Sequence, residues 1–184
     1  MLVLGIDPGS TATGYGLVRG EGTRLTAVDF GVIATRATLP FPQRLRQIFE
    51  GLRTLITSYR PDAAAVEGLF FARNVQSAFK LGQARGAALL AAALEGVPVF
   101  EYAPRQVKGA VSGFGGAEKV QVQIMVKAML GLAEAPRPMD AADALALAIC
   151  HYHACAGRGR LMPVVPPAPG RPPAPIGRRD RAGA

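Results

Sequence analysis

The stretch VLGIDPGSTATGYGLV, residues Val3 to Val18, decides the reading of the fold. Leu2, Val3, Leu4 and Ile6 leave no polar alternation, the pattern of a strand buried on both faces. Pro8 and Gly9 stop that strand, and a second begins near Thr13. Asp7 is thereby left at the end of a central strand, where a carboxylate is costly unless something pairs with it. One reading makes it a turn-initiating Asp, satisfied by amides of the following Gly-Ser-Thr stretch. The other gives it a partner, and the rest of the chain bears on the choice.

Working outward, strand patterns at Leu2–Ile6, Thr13–Arg19 and Leu25–Ala34 are separated by Gly9-Ser10 and Glu21-Gly22, which predicts a meander of antiparallel hairpins. Phe41 to Tyr59 carries Leu45, Ile48, Phe49, Leu52, Leu55 and Ile56 at helical spacing. A short strand, Ala63–Val66, ends at Glu67. An alanine-rich helix then covers Val75–Leu94, Gly96 ends it, and Val97–Phe100 reads as a fifth strand. Arg105–Val111 is a short helix or turn and SGFGGAEK a glycine-rich loop. Helices follow at Glu118–Leu130 and at about Met139–Ala156. Hairpins followed by alternating helix and strand predict an α/β fold, a five-stranded mixed sheet flanked by helices.

The 184 residues, 49% apolar and 18% charged, suit one folded domain. The net charge of +8 is uneven. From Gly157 to Ala184 six arginines face Asp180 alone, giving +5, and residues 1–156 hold the remaining +3. That last segment also has seven of the 15 prolines and no apolar periodicity. The reading is a folded body over 1–156 and a disordered basic arm over 157–184, suited to a polyanionic partner. Cys150 and Cys155 lie i, i+5 on a helix and share no face, so free thiols in a reducing compartment are expected. No signal peptide is visible, and the longest apolar helical run, Ala87 to Leu94, is too short to span a membrane. A cytoplasmic protein with no membrane partner is the expectation.

Two strands end in an acid, Asp7 and Glu67, and the last helix opens with DAAD, which puts Asp140 and Asp143 on one face. Acids in a first helical turn are routine partners of the helix dipole. The helix around them, however, is nearly all Ala, Leu and Ile and must be buried. Four carboxylates converging on one point call for a cation, and hard oxygen donors select Mg²⁺ or Mn²⁺. Two such ions about 3.5–4 Å apart activate a water and stabilise the leaving oxygen in phosphodiester cleavage. Zinc is disfavoured. The only histidines are His151 and His153, and His151 lies roughly 16 Å along the helix from Asp140, near the helix end as an ordinary partner of the dipole.

With these acids in place the sequence resembles the RuvC family of Holliday junction resolvases, of the ribonuclease H-like fold. The stretches that carry the resemblance are LGIDPGSTATGYG, VEGLFFARN, KLGQARG, PVFEYAPRQVKGAVSGFGGAEKVQV and DAADALALAI, in order from about Met1 to Ala154. The resemblance implies a homodimer that resolves four-way DNA junctions in recombination and repair by paired symmetric nicks. It also implies Mg²⁺ held by Asp7, Glu67, Asp140 and Asp143. Phe70 matches the aromatic that stacks on unpaired bases at the junction centre, worth about 1–3 kcal/mol per base, although Phe70 or Phe71 could equally be a core residue. Lys108 and Lys119 match the lysines near the scissile phosphate, where they offset developing charge. Arg73 and Asn74, in the same loop as Phe70, are candidate phosphate contacts. A branch-migration complex is a partner by the same analogy.

Ala78, Gly82 and Gly86 recur every fourth residue of one helix, and each internal glycine costs about 1 kcal/mol relative to alanine. Close approach of another helix or packing on the sheet would account for them, and the resemblance favours a two-fold dimer. Two rival functions remain. GIDPGSTATG is similar to the first phosphate loop of actin-like ATPases and sugar kinases, but no GxxxxGK[ST] or GxGxxG accompanies it. A non-catalytic junction-binding module is the other.

Overall fold

In the computed structural model, which describes residues 1–68, 75–156 and 161–168, the opening stretch forms β1 (Leu2–Asp7) and β2 (Ala12–Glu21), followed by β3 (Arg24–Ala34). β1 pairs antiparallel with β2, and β2 with β3, with an irregularity at Leu17/Val18. Helix α1 (Phe41–Tyr59) crosses to β4 (Ala63–Glu67), and α2 (Val75–Leu94) leads to β5 (Val99–Tyr102). β4 is parallel to β1 and β5 to β4, so the sheet order is β3-β2-β1-β4-β5. Three further helices follow, α3 (Pro104–Ser112), α4 (Lys119–Leu130) and α5 (Met139–Ala156).

Strand alternation divides the core in two. Leu2, Leu4, Ile6, Ala64 and Val66 pack with Ile48, Leu52 and Ile56 of α1 and with Ala84, Ala88, Ala91 and Ala92 of α2. Val3, Ala65 and Tyr102 face the other way, toward α3, α4 and α5. Because successive strand residues point to opposite faces, Asp7 and Glu67 lie on this second face with Val3 and Ala65.

Helix α5 is buried along most of its length, as its composition predicts. It lies directly on β1 and β2 because their residues under it are glycines. A Cβ on Gly5 would come within 1.8 Å of the Ala144 carbonyl oxygen, and one on Gly16 within 2.7 Å of the Leu145 amide nitrogen.

The fifth strand starts two residues later than its sequence suggests. The Val97 amide donates to Ala92 O at 2.9 Å, closing the end of α2 around Gly96 at φ 66°. Pro98 has no amide to give a ladder. The extended segment therefore begins at Val99 and runs to Tyr102.

Residues 161–168, read from composition as part of a disordered arm, return to the sheet instead. The Val164 amide donates to Val99 O at 2.7 Å and the Val99 amide to Val165 O at 2.9 Å. β5 is an edge strand, and its free backbone groups offer the pairing that composition does not reveal.

Candidate active site

The site grows from the strand register. Ile6 and Val66 are Cα partners in the parallel β1–β4 pair, which sets Asp7 beside Glu67 at the carboxyl ends of two adjacent strands. Asp7 is also the antiparallel partner of Gly14. A Cβ on Gly14 would lie 2.0 Å from the Asp140 carbonyl oxygen, so the first turn of α5 rests on the strand next to Asp7. Asp143 follows one turn along the same helix face.

The loop after Asp7 is closed without it. The Thr13 hydroxyl donates to Gly9 O at 3.0 Å and accepts from the Gly9 amide at 3.4 Å. Arg44 of α1 hydrogen-bonds Ser10 O and the Thr35 hydroxyl. Among the described residues none donates a hydrogen bond to the Asp7 carboxylate, so the turn-initiating reading of this residue fails. Gly9 is required by the returning chain, since a Cβ there would lie 2.1 Å from Ala12 O.

Electrostatics tie the acids together. Burial first, and then the charges of Asp143, Glu67 and Asp140, push the Asp7 carboxyl from its ordinary 3.8 up to about 7, with Lys119 acting against them. Burial and Asp143 raise Glu67 as well, opposed by Lys119 and Lys108. Lys119, the first residue of α4, donates from Nζ to Asp143 Oδ2 at 2.8 Å. That hydrogen bond, reinforced by the charges of Asp143, Asp7 and Glu67, lifts its ammonium above the ordinary range despite burial acting the other way. Lys108 on α3 reaches the site through its field on Glu67.

Asp7, Glu67, the first turn of α5 and Lys119 thus lie at one edge of the sheet, and Lys108 acts on it through Glu67. Phe70, Arg73 and Asn74 lie outside the described residues. Among the described residues, no three Asp, Glu, His or Cys side chains stand close enough together to enclose an ion as they are oriented. The donor set still suits a divalent cation: every member is a hard oxygen donor, and the strained charge on Asp7 is what a cation relieves.

His151 corrects its sequence reading. It is fully buried, with Nδ1 2.7 Å from Tyr102 Oη, Nε2 3.4 Å from Cys155 Sγ and its ring 4.4 Å from Phe100. Burial lowers its pKa from 6.5 to about 4, so it is a neutral core group rather than a cation at the helix end. Cys150 and Cys155 are both free thiols. The glycines under α5 were the missed signal. Gly5, Gly14 and Gly16 mark, at strand spacing, the path on which the helix bearing two of the acids descends.

Comparison with known proteins agrees with this geometry. The family model for crossover junction endodeoxyribonuclease RuvC matches residues 3–151. The RuvC of Brevibacillus brevis is 56% identical over 151 residues, 82% of this chain and 91% of that protein. That of Chloroflexus aggregans is 56% identical over 153 residues, 83% and 93% of the two chains. Among solved structures, Thermus thermophilus RuvC in complex with a Holliday junction substrate superposes with a TM-score of 0.84 at 41% identity, covering 89% of this chain and 99% of that one. The yeast mitochondrial Holliday junction resolvase Ydc2, 18% identical with a TM-score of 0.59, shares the fold. The mixed sheet is therefore the ribonuclease H-like sheet expected from the sequence, and a match running from β1 into α5 shows that the chain belongs to the RuvC family of crossover junction endodeoxyribonucleases.

Proposed function

We infer that this protein is an endodeoxyribonuclease that resolves four-way DNA junctions in recombination and repair. The observation that carries the reading is the placement of Asp7 and Glu67 at the ends of adjacent strands, with the first turn of α5 and its Asp140 seated beside them, in a chain of this family. An ATP-binding role and a purely structural junction-binding role have no support from the relatives.

In this reading the four carboxylates hold divalent metal, Mg²⁺ with Mn²⁺ as a substitute and two ions per site. Such metal, when bound, supplies Lewis-acid charge and lowers the pKa of a nucleophilic water. Asp7 and Glu67, fixed by the strand register, and Asp140 and Asp143, fixed by the glycine-seated helix, would hold that metal at the sheet edge where the phosphate is to bind. Lys119 and Lys108 place positive charge where the phosphoryl oxygens become more negative. Phe70 stacks on a splayed base at the junction centre, and Arg73 and Asn74 hold neighbouring phosphates.

A homodimer belongs to the same proposal. Val75, Phe79, Leu90 and Leu94 leave an exposed apolar face on α2, and among the described residues Cβ atoms on Gly82 and Gly86 would meet nothing within 4 Å. A second copy of α2 fits that surface, and its two-fold axis matches two symmetric nicks. Action in the cytoplasm alongside a branch-migration complex follows by analogy with the family. Among the described residues no helix is long and apolar enough to cross a membrane.

The test is cleavage of a labelled synthetic junction against linear duplex, with Mg²⁺, Mn²⁺ or chelator, beside Asp7→Asn. Paired nicks in the junction only, lost with chelator and at least a hundredfold weaker in Asp7→Asn, are expected from loss of a charge-stabilising group. Tight junction binding with no cutting in either metal would overturn the nuclease reading in favour of the binding module.

A further inference from the structure

Among the described phenylalanines two stand out in solvent, Phe79 at 69% exposed and Phe114 at 67%. Phe79 lies on the α2 face given above to a second copy. Phe114 has no part in that face or in the core.

It belongs to the segment SGFGG that joins α3 to α4, and the backbone there is fixed on both sides of it. Gly113 caps α3 at φ 76°, its amide donating to Gly109 O at 2.9 Å. The Ser112 hydroxyl donates to Lys108 O at 2.7 Å and accepts from the Phe114 amide at 3.4 Å. The Phe114 carbonyl accepts from the amide of buried Ala117 at 3.2 Å, which closes a turn. The ring lies over Gly116, where a Cβ would meet Cε1 and Cζ at 2.8 Å. An exposed aromatic side chain is thus carried on an ordered turn, against a residue with no side chain to push it aside.

Its neighbourhood is cationic and close to the carboxylates. The turn keeps the Cα atoms of Phe114 and Ala117 within about 7 Å. Lys119 is two residues further, so its Cα is no more than about 14 Å from that of Phe114. The Nζ of that lysine is 2.8 Å from Asp143 Oδ2. From Tyr102 to Leu130 the chain carries Arg105, Lys108, Lys119 and Lys127 against Glu118 alone, a net charge of +3. Surfaces that hold unpaired nucleic acid combine these two features, cations for the phosphates and an aromatic face for a base. A strand advances about 3.4 Å per nucleotide, so 14 Å is about four nucleotides.

We propose that Phe114 stacks on an unpaired base of the strand being cut, within about four nucleotides of the scissile phosphate. This rests on the junction-resolving reading above, and it adds an aromatic contact beside the carboxylates to the one given to Phe70 at the junction centre. The contact tolerates any sequence, because every base has a π face.

The experiment first maps the nicks that the full chain makes in a synthetic junction in Mg²⁺. Binding is then measured in chelator, to that junction and to versions with one abasic nucleotide at each of about four positions on either side of the cut. Wild type is expected to lose about tenfold in affinity at one of these positions. Phe114→Ala should bind the intact junction about tenfold more weakly, yet lose less than about twofold further at that same position, because ring and base are two halves of one contact. Phe114→Tyr keeps the stack and should stay within about twofold of wild type. Phe114→Leu is apolar without a π face and should resemble Phe114→Ala. All three should unfold at the wild-type urea midpoint, since the ring lies outside the core. Four results overturn the proposal: intact-junction binding by Phe114→Ala at the wild-type level, equal abasic losses in both proteins at every position, a Phe114→Leu protein as tight as wild type, or a lowered urea midpoint that returns the ring to the core. A full chain that makes no nicks is a different outcome, and it strikes the nuclease reading instead.

Discussion

Asp7 folds with its carboxyl raised from 3.8 to about 7, so between those values the unfolded chain has released a proton that the folded chain keeps. Stability then falls as pH rises across that window, by about 1.4 kcal/mol per pH unit for one proton. His151 acts in the opposite sense. Its pKa drops from 6.5 to about 4 on folding, so between those values the unfolded chain binds a proton that the folded chain lacks, and stability is lost as pH falls. The two contributions oppose each other between about pH 4 and 6.5, with Glu67 adding to the sense of Asp7. Urea titrations in chelator should show it. Asp7→Asn is expected to become more stable as pH rises through this range, relative to wild type, and His151→Gln less stable. If both variants follow the wild-type pH profile, the burial assigned to these two groups is wrong. Added Mg²⁺ should stabilise wild type above pH 7 and do little for Asp7→Asn, since only the ionised cluster gains from a cation.

The elements hold these residues in place through backbone contact more than through side chains. Gly14→Ala puts a methyl group 2.0 Å from the Asp140 carbonyl, which cannot rotate away as a side-chain end would. The first turn of α5 must lift, and a loss of about 1–3 kcal/mol is expected from overpacking against rigid backbone. Mn²⁺ affinity, read by calorimetry, should fall with it because Asp140 and Asp143 ride on that turn. A Gly14→Ala protein with unchanged stability would mean that α5 does not sit on β2 as described. The elements themselves were legible: apolar runs gave the strands, helical stripes gave α1, and the terminal acids of β1 and β4 pointed to one edge. Sequence spacing could not show why α5 reaches Asp7, because glycines in a strand read locally as weak positions. His151 was misread for a related reason. Its partner Tyr102 is 49 residues away and its burial comes from tertiary packing alone. The start of β5 shifted because Val97 serves the end of α2, a bond that apolar periodicity cannot register.

For the whole molecule, the exposed face of α2 separates a stability role from an assembly role. Among the described residues a Cβ on Gly82 or Gly86 would meet nothing within 4 Å, so a methyl group there clashes with none of them and gains helix propensity of about 1 kcal/mol per glycine replaced by alanine. The same positions are where a second α2 would approach, and a large side chain would hold it off. Gly82→Leu should therefore give a protein at least as resistant to urea as wild type at low concentration, with wild type sedimenting as a dimer and the variant as a monomer. The functional consequence follows from symmetry. In the proposed dimer, two active sites related by a two-fold axis would cut both strands of a junction while it is held once, whereas a monomer would cut one strand and have to rebind for the other. Junctions in supercoiled plasmid, which relax after a single nick, are expected to yield linear product with wild type and nicked circles with Gly82→Leu. A variant that stays dimeric and still yields linear product would place the interface elsewhere on the molecule, and the open glycines of α2 would then need another explanation.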